Sequence, residues 1–173
     1  MALQTYTFAY WGEQFANNKS MLALLNGVGS GVVAKVWRVL LLNSSLTTVT
    51  GVIAAISLRP LSGLSAGTAV TAIKHDSNNA NVPAQVVCSR GGTATEVGTT
   101  LRRIAWSTDE PAVSSATSDE LQNLVPLNYI WDAGYGDANV QPLTLREGEG
   151  ISVKCETSTT AGYLDVAFEV TLE

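Results

Sequence analysis

The sequence predicts an all-β protein, an antiparallel β-sandwich of about eight strands. Apolar and polar residues alternate in several segments, these segments are short, and residues typical of turns separate them. The alternation is clearest in residues 164–172, where every second side chain is large and apolar. A period of two places those side chains on one face of a strand, which indicates one buried and one solvated face.

The end of the chain predicts a hairpin. Ile151, Val153 and Cys155 alternate with polar residues, and the linker 157–162 is rich in Ser, Thr and Gly. We expect this linker to turn the strand at 151–155 back onto the strand at 164–172, so that the two pair with matching apolar faces. The segment 146–150, which contains Glu147 and Glu149, fits a tight turn before this hairpin.

Further strands are predicted along the chain. Residues 32–42 are almost continuously apolar, which is typical of a strand buried on both faces, in the core or under another subunit. Residues 20–25 fit a strand or a helical turn, and the glycines of 26–31 indicate a turn. The other predicted strands are 4–10, 47–59 (ended by Pro60), 68–73, 83–89, 99–106 and 128–132, and residues 143–147 lead into the hairpin.

One short helix and an N-terminal extension complete the prediction. Residues 117–120, Thr-Ser-Asp-Glu, fit a capping box and predict a helix at 118–124. Trp11 and Phe15 are four residues apart and could share a helical turn. We therefore assign residues 1–18 to an N-terminal extension or arm that reaches onto a neighbouring subunit or another partner surface, and 19–173 to a single domain.

The number of strands fits a jelly roll most simply. An immunoglobulin-like sandwich fits less well, because it typically takes about 100 residues and seven strands.

The composition points to an oligomer. Charged residues make up 14% of the chain, compared with about 25% in an ordinary soluble protein. A surface rich in uncharged polar residues would explain this shortfall, and so would a surface covered by other subunits, which we favour. The net charge of −5 and the absence of a basic patch argue against nucleic acid. We also expect no signal peptide and no membrane span.

No catalytic, cofactor-binding or metal site is predicted, and we do not expect an enzyme. His75 is the only histidine, so neither a zinc site nor a catalytic triad is easily built. Cys88 and Cys155 are expected to be buried, reduced thiols. The paired carboxylates fit solvated loops, and Gly27-x-Gly-x-Gly31 precedes a strand, whereas a phosphate loop precedes a helix.

Aromatic residues are the candidates for an interface. Tryptophan and tyrosine commonly anchor cores or subunit contacts. Trp11, Trp106, Trp131 and Tyr135 could alternatively stack on sugar rings. We assign the interface to Tyr6, Phe8, Tyr10, Trp11, Phe15, Trp131 and Tyr135.

Three stretches carry a resemblance to a known family. They are 25–31 (Leu-Asn-Gly-Val-Gly-Ser-Gly), 61–79, which begins Leu-Ser-Gly-Leu-Ser-Ala-Gly-Thr, and 145–153 (Leu-Arg-Glu-Gly-Glu-Gly-Ile-Ser-Val). The chain resembles jelly-roll capsid decoration, or cement, proteins of tailed bacteriophages. The resemblance implies a non-enzymatic virion protein that is made in the host cytoplasm. It also implies a homotrimer on the outer capsid surface, where it binds the major capsid protein.

Two other functions fit the same sequence. A jelly-roll domain of a phage tail or baseplate would share this composition, and only its location in the virion would distinguish it. A carbohydrate-binding module would require exposed, coplanar aromatic side chains.

Overall fold

The computed structural model describes residues 4–43, 52–108, 128–134, 140–158 and 162–173. These residues form thirteen β-strands and no helix. The predicted helix at 118–124 lies outside the described residues. The strands are β1 Gln4–Gln14, β2 Lys19–Asn26, β3 Ala34–Asn43, β4 Val52–Ser65, β5 Thr68–Ala69, β6 Ile73–Lys74, β7 Val86–Arg90, β8 Thr93–Glu96, β9 Arg102–Thr108, β10 Asn128–Asp132, β11 Leu143–Leu145, β12 Glu149–Ser158 and β13 Tyr163–Leu172.

The strands form two antiparallel sheets that pack together, which confirms the predicted all-β class and is consistent with a β-sandwich. Sheet 1 has the order β10-β3-β13-β1-β6, and β11 also pairs with β3. Sheet 2 has the order β5-β7-β2-β12-β4-β8, and β9 also pairs with β4. The six long central strands, β1, β3 and β13 in sheet 1 and β2, β4 and β12 in sheet 2, are therefore bordered on both sides, which supplies partners for their backbone hydrogen bonds.

The core lies between the sheets and is built from alternate residues of the central strands. In sheet 1 these residues come from β1, β3 and β13, and in sheet 2 from β2, β4 and β12. Members of this single cluster include Tyr6, Phe8, Leu22, Leu24, Val36, Val39, Ile56, Leu58, Ile151, Val153, Cys155, Leu164, Val166, Phe168 and Val170. Burying one such side chain stabilises the fold by about 1.5–3 kcal/mol.

The predicted closing hairpin is wrong, because its two strands lie in different sheets. Strand β12 pairs with β2 and β4, whereas β13 pairs with β1 and β3. Their apolar rows therefore belong to opposite walls of one core. A hairpin would place both rows on the same side of one sheet, where they would still need a second layer. Because β12 and β13 lie in different sheets, the apolar row of each strand packs against the opposite sheet.

The predicted N-terminal extension is an integral strand. Strand β1 pairs with β13 from Gln4 opposite Leu172 to Gln14 opposite Tyr163. A bulge between Tyr10 and Glu13 interrupts this register. Gly12 lies in the bulge with a φ of 79°, a left-handed conformation that favours glycine.

This bulge also separates the two residues that we expected on one helical turn. Trp11 points outward and is 62% exposed, whereas Phe15 is buried.

Strand β4 continues through Pro60, where we predicted that it would end. Residues 52–58 pair with β9 and residues 61–65 pair with β8, so Pro60 lies where one edge changes its partner strand. The Pro60 carbonyl on that edge accepts a hydrogen bond from the Val97 N–H at 3.0 Å. Because proline has no N–H to donate, it is tolerated at a position where no ladder bond is needed.

Two other predictions need correction. The predicted strand at 68–73 is divided between β5, which pairs with β7 in sheet 2, and β6, which pairs with β1 in sheet 1. Strand β3 has its inner side chains fully buried, but Lys35, Trp37, Arg38 and Leu40 on the rest of the strand are only half-buried. The long apolar run therefore reflects one core face and one partly covered outer face.

We expect both thiols to be unreactive in the folded protein. Cys88 and Cys155 are buried, as predicted, and burial raises the pKa of each thiol above its ordinary value. Thiolate, the reactive form, is therefore scarce at pH 8. A disulfide-exchange reagent such as DTNB should titrate almost no thiol in native protein and both thiols in 6 M guanidinium. Rapid labelling of the native protein would contradict the buried positions.

We expect β1 to contribute strongly to stability. Phe8→Ala should lower the free energy of unfolding by about 3–5 kcal/mol, because it empties a core site, where Phe8 is 2% exposed. Trp11→Ala on the same strand is the matched control and should cost less than about 1 kcal/mol, since Trp11 is mostly solvated. Urea denaturation measures both. Equal losses would contradict the assignment of Phe8 to the core.

Candidate binding surfaces

His75 makes its contacts with a hydroxyl and the backbone of β1. It follows β6 at the edge of sheet 1, and its Nε2 lies 2.7 Å from Thr7 Oγ1. The His75 N–H donates to the Thr5 carbonyl at 3.1 Å. Within the described ranges, no group of three or more His, Cys, Asp or Glu residues could hold a metal ion. His75 therefore helps to fasten the chain after β6 to β1.

The glycine-rich loop at 26–31 binds a carboxylate of the chain itself. Gly29 N–H and Gly31 N–H donate to the two carboxylate oxygens of Glu147 at 3.1 and 2.9 Å. These two hydrogen bonds, from Gly29 and then Gly31, lower the pKa of Glu147. Successive backbone N–H groups of this kind form an anion-binding nest. Because Glu147 fills the nest, this carboxylate has a structural function, as the predicted turn implied.

The seven predicted interface residues do not share one environment. Tyr6, Phe8 and Phe15 are buried in the core, so their side chains are not available to a partner. Trp131 is half-buried and packs against the core, and the Arg102 guanidinium carbon lies 5.7 Å from its ring centroid. Tyr135 lies outside the described residues.

Tyr10 and Trp11 belong to the surface around the β1 bulge. The Arg90 guanidinium carbon lies 3.9 Å from the Tyr10 ring centroid, and Arg90 Nη1 donates to Glu13 Oε2 at 3.0 Å. This contact ties β1 of sheet 1 to β7 of sheet 2. Among the predicted interface residues that the structure describes, Trp11 is thus the one that is mainly exposed.

An apolar row crosses the outer face of sheet 1. Ala9 lies opposite Ala167, Ala167 opposite Leu40, and Leu40 opposite Tyr129. Tyr129 is 41% exposed, and Leu40 is half-buried. Trp11 follows Ala9 on the same face by strand alternation. We call these five residues the sheet 1 face.

Charged and polar side chains border the sheet 1 face on one side. Arg38 Nε lies 3.2 Å from Asp132 Oδ1, and Arg38 Nη1 lies 3.6 Å from Glu169 Oε2. The Gly134 N–H, and then Arg38, hold the pKa of Asp132 below its ordinary value. The face therefore has an apolar centre with a paired, polar border, the composition that is typical of protein interfaces.

The outer face of sheet 2 carries an ion-pair network instead. Arg59 Nη1 lies 3.0 Å from Glu96 Oε2, and Arg59 Nη2 lies 2.6 Å from Glu156 Oε1. Lys154 Nζ lies 2.9 Å from Glu96 Oε1 and 4.0 Å from Glu156 Oε2. Two cations thus share two carboxylates across strands β4, β8 and β12. The two positive charges balance the two negative charges, so the network is neutral.

Beside this network lies a half-open cavity of about 290 Å³, which we call the Lys154 cleft. Strand β8 and the preceding turn form one wall, and β2 with β12 form the other. The lining side chains offer both donors and acceptors. They belong to Asn18, Lys19, Ser20, Thr93, Glu96 and Lys154, and Gly92 and Ala94 complete the lining.

Two β-bulges set the positions of the side chains next to the cleft. One interrupts the β12–β2 register between Val153 and Lys154, and the other interrupts the β12–β4 register between Cys155 and Thr157. Bulges re-aim side chains and are frequent next to functional sites. Gly92 is also constrained, because a Cβ there would lie 2.8 Å from Ser89 Oγ. The turn can therefore lie close against β2, where Gly91 N–H donates to the Ser20 carbonyl at 3.0 Å.

Sequence reasoning missed the Lys154 cleft. The signal in the sequence that bears on the cleft was the alternation of 151–155, which indicated that Lys154 faces away from the core. Its ion-pair partner Glu96 comes from a strand 154 − 96 = 58 residues earlier in the chain. No spacing rule brings such distant residues together before the strand order is known.

Comparison with known proteins identifies no relative: no family model, curated protein or solved structure matches the chain. Within the described ranges, no helix has the length and apolarity that a membrane span requires.

We expect the ion-pair network to make stability depend on pH. Burial alone would raise the pKa of Glu156, but hydrogen bonds from Ser57 and Arg59 and the charges of Arg59 and Lys154 hold it below its ordinary value. A lowered pKa stabilises the fold above the unfolded value of about 4.3, and this contribution disappears as the pH falls through the folded pKa. The free energy of unfolding should therefore decrease below about pH 5.

Glu156→Gln tests the source of this dependence. The variant should be less stable than the parent at pH 7, and its stability should fall less steeply between about pH 5 and pH 3. Urea denaturation at several pH values measures both slopes. An unchanged slope in the variant would show that Glu156 is not the responsible group.

Proposed function

We propose that this protein is a non-enzymatic virion structural protein, a jelly-roll decoration protein that binds the outer surface of a tailed-bacteriophage capsid as a homotrimer. The observation that carries the proposal is the sheet 1 face, an apolar row on the outer side of the sandwich whose two ends, Trp11 and Tyr129, are exposed. The resemblance of three sequence stretches to decoration proteins supports it.

The strand pairing supports a jelly roll within the sandwich. Taking β1, β2, β3, β4, β9, β10, β12 and β13 as eight main strands, the first pairs with the last, the second with the seventh, the third with the sixth and the fourth with the fifth. This nesting is one long antiparallel ribbon. Pairing of β13 with β3 and of β12 with β4 then folds the ribbon into two sheets. Jelly rolls are frequent in viral capsid proteins.

Strands β5 to β8 are additions to this ribbon. They lie between the fourth and fifth main strands in sequence, and β7 and β6 extend the two sheets beside β2 and β1. Because they leave the nested pairs intact, they are compatible with the proposed topology.

Fold alone does not define function, so we infer the subunit contact from the chemistry of the surface. We assign the sheet 1 face to the contact with a neighbouring copy of the chain. The whole outer side of sheet 1, four strands about 4.8 Å apart with about eight residues each at 3.3 Å, covers on the order of 500 Å² per copy, and the sheet 1 face lies within it. With an equal area on the neighbouring copy this approaches the lower end of specific protein interfaces. In a trimer that area is a different patch of the neighbour, because identical faces meet about a two-fold axis. The low charge content of 14% agrees with a surface that is covered in the assembly.

Light scattering during size-exclusion chromatography tests the trimer. We expect a mass of about 55 kDa, three times the 18.2 kDa of one chain. Tyr129→Asp should shift the protein toward the monomer, because a carboxylate would be buried in an apolar contact. Val87→Asp is the matched control and should leave the trimer intact, since Val87 is similarly exposed, at 40%, but lies in sheet 2. A monomeric parent protein would contradict the proposal.

Immunogold labelling of virions made by the encoding phage tests the location. Label over the capsid shell is expected for a decoration protein. Label confined to the tail or baseplate would favour a tail component, and absence from virions would overturn a structural function.

A further inference from the structure

We propose that the Lys154 cleft is a binding site for one ring of a neutral sugar or a similar polyol. The cleft lies on sheet 2, whereas the proposed subunit contact uses sheet 1, so this inference does not depend on the proposed function. It rests on the size of the cleft, its hydrogen-bonding groups and its charge balance.

The size of the cleft selects a small ligand. Its volume is about 290 Å³, at the lower end of the roughly 300–1,000 Å³ of small-molecule sites. The cavity is open on one side. One sugar ring can therefore enter, and the rest of a glycan can extend into solvent.

The lining groups suit a ligand with several hydroxyls. Each hydroxyl both donates and accepts a hydrogen bond, so a complementary wall needs both functions. Lys154 and Asn18 provide N–H donors, and Glu96 provides a carboxylate acceptor. Thr93 on β8 adds a hydroxyl that can serve in either direction, whereas the Ser20 hydroxyl on the facing wall is buried against Ser152.

These groups are held in place before a ligand arrives. Lys154 and Glu96 are fixed to each other at 2.9 Å, and Glu96 is also fixed to Arg59 at 3.0 Å. Ser20 Oγ lies 2.7 Å from Ser152 Oγ. Because little side-chain freedom remains to be lost, binding costs less conformational entropy than at a mobile surface. Lys154 keeps its regular outward position on β12, and the extra residue of the bulge beside it, Met21, lies on β2.

The charges of the cleft favour a neutral ligand over an ion. The lysines at 19 and 154 would repel a cation, and Glu96 would repel an anion that approached Lys154. Lys154 and Glu96 also neutralise each other, so the exposed Lys19 is the remaining charge of the lining. A phosphate or a metal ion would have to break this pair, whereas a hydroxyl can bond to both partners without separating them.

Two-dimensional NMR of the ¹⁵N-labelled full chain tests the proposal. The probes are glucose, galactose, mannose and N-acetylglucosamine, each titrated to 50 mM, with sodium phosphate and sodium acetate as charged comparators. We expect at least one sugar to shift the amide signals of residues 18–20, 93–96 and 154 in a saturable manner, with a Kd in the millimolar range. The two anions should cause no saturable shift at these signals.

Variants locate the site. Ala94→Leu should weaken sugar binding at least tenfold, because the larger side chain fills the cleft and leaves its polar groups in place. Thr95→Leu, at the next position of β8, is the matched control and should bind as the parent does, since Thr95 does not line the cleft. Lys154→Met should also weaken binding at least tenfold, and it serves as the second test if Ala94→Leu fails to fold.

Three outcomes would overturn the inference. The first is that no sugar in the panel shifts the cleft signals. The second is that sugar binding persists at full strength in both Ala94→Leu and Lys154→Met. The third is that phosphate or acetate saturates the cleft where sugars do not, which would mean that the site recognises anions.

Discussion

The fold depends on the burial of two apolar rows against each other, one on β12 and one on β13. Ile151, Val153 and Cys155 form the first row, and Leu164, Val166 and Phe168 belong to the second. Each row lies at the centre of its own sheet. Loss of either strand would expose the apolar row of the other to solvent. Each strand also pairs with a neighbour on both of its sides. The stability of both sheets is therefore coupled through this contact, although the two strands share no backbone ladder.

The outward residues of the same two strands give the two faces of the sandwich different chemistry. On β13 the small Ala167 lets Leu40 and Ala9 form a nearly flat apolar row. On β12 the outward residues Lys154 and Glu156 are charged, and Glu156 is the extra residue of a bulge. The period-two pattern that builds the core thus also determines which polar groups reach the surface. A register slip of one residue would exchange the core row and the surface row in either strand.

The sequence predicted the all-β class, most strand positions and the inward residues, because these depend on local alternation. It did not predict which strands pair, since 164–172 shows the same pattern whether it completes a hairpin or crosses to another sheet. Pro60 shows a similar limit: proline excludes a ladder bond, but only the strand order reveals that none is needed there. Aromatic content alone likewise did not distinguish the buried Phe8 from the exposed Trp11, because the bulge near Gly12 is a tertiary feature. The Lys154 cleft joins residues distant in sequence and required the fold.

The difference between the faces explains why subunit contact is better assigned to sheet 1 than to sheet 2. Covering the sheet 1 face removes apolar surface from water, which favours association by about 25 cal/mol per Å². Covering the sheet 2 face would bury Lys154, Glu96, Arg59 and Glu156, whose desolvation opposes association even when the charges are paired. These ion pairs also already satisfy one another, so a partner gains little by contacting them. A solvated sheet 2 face leaves the cleft accessible while sheet 1 is covered, so subunit assembly and ligand binding can occupy opposite sides of the same sandwich.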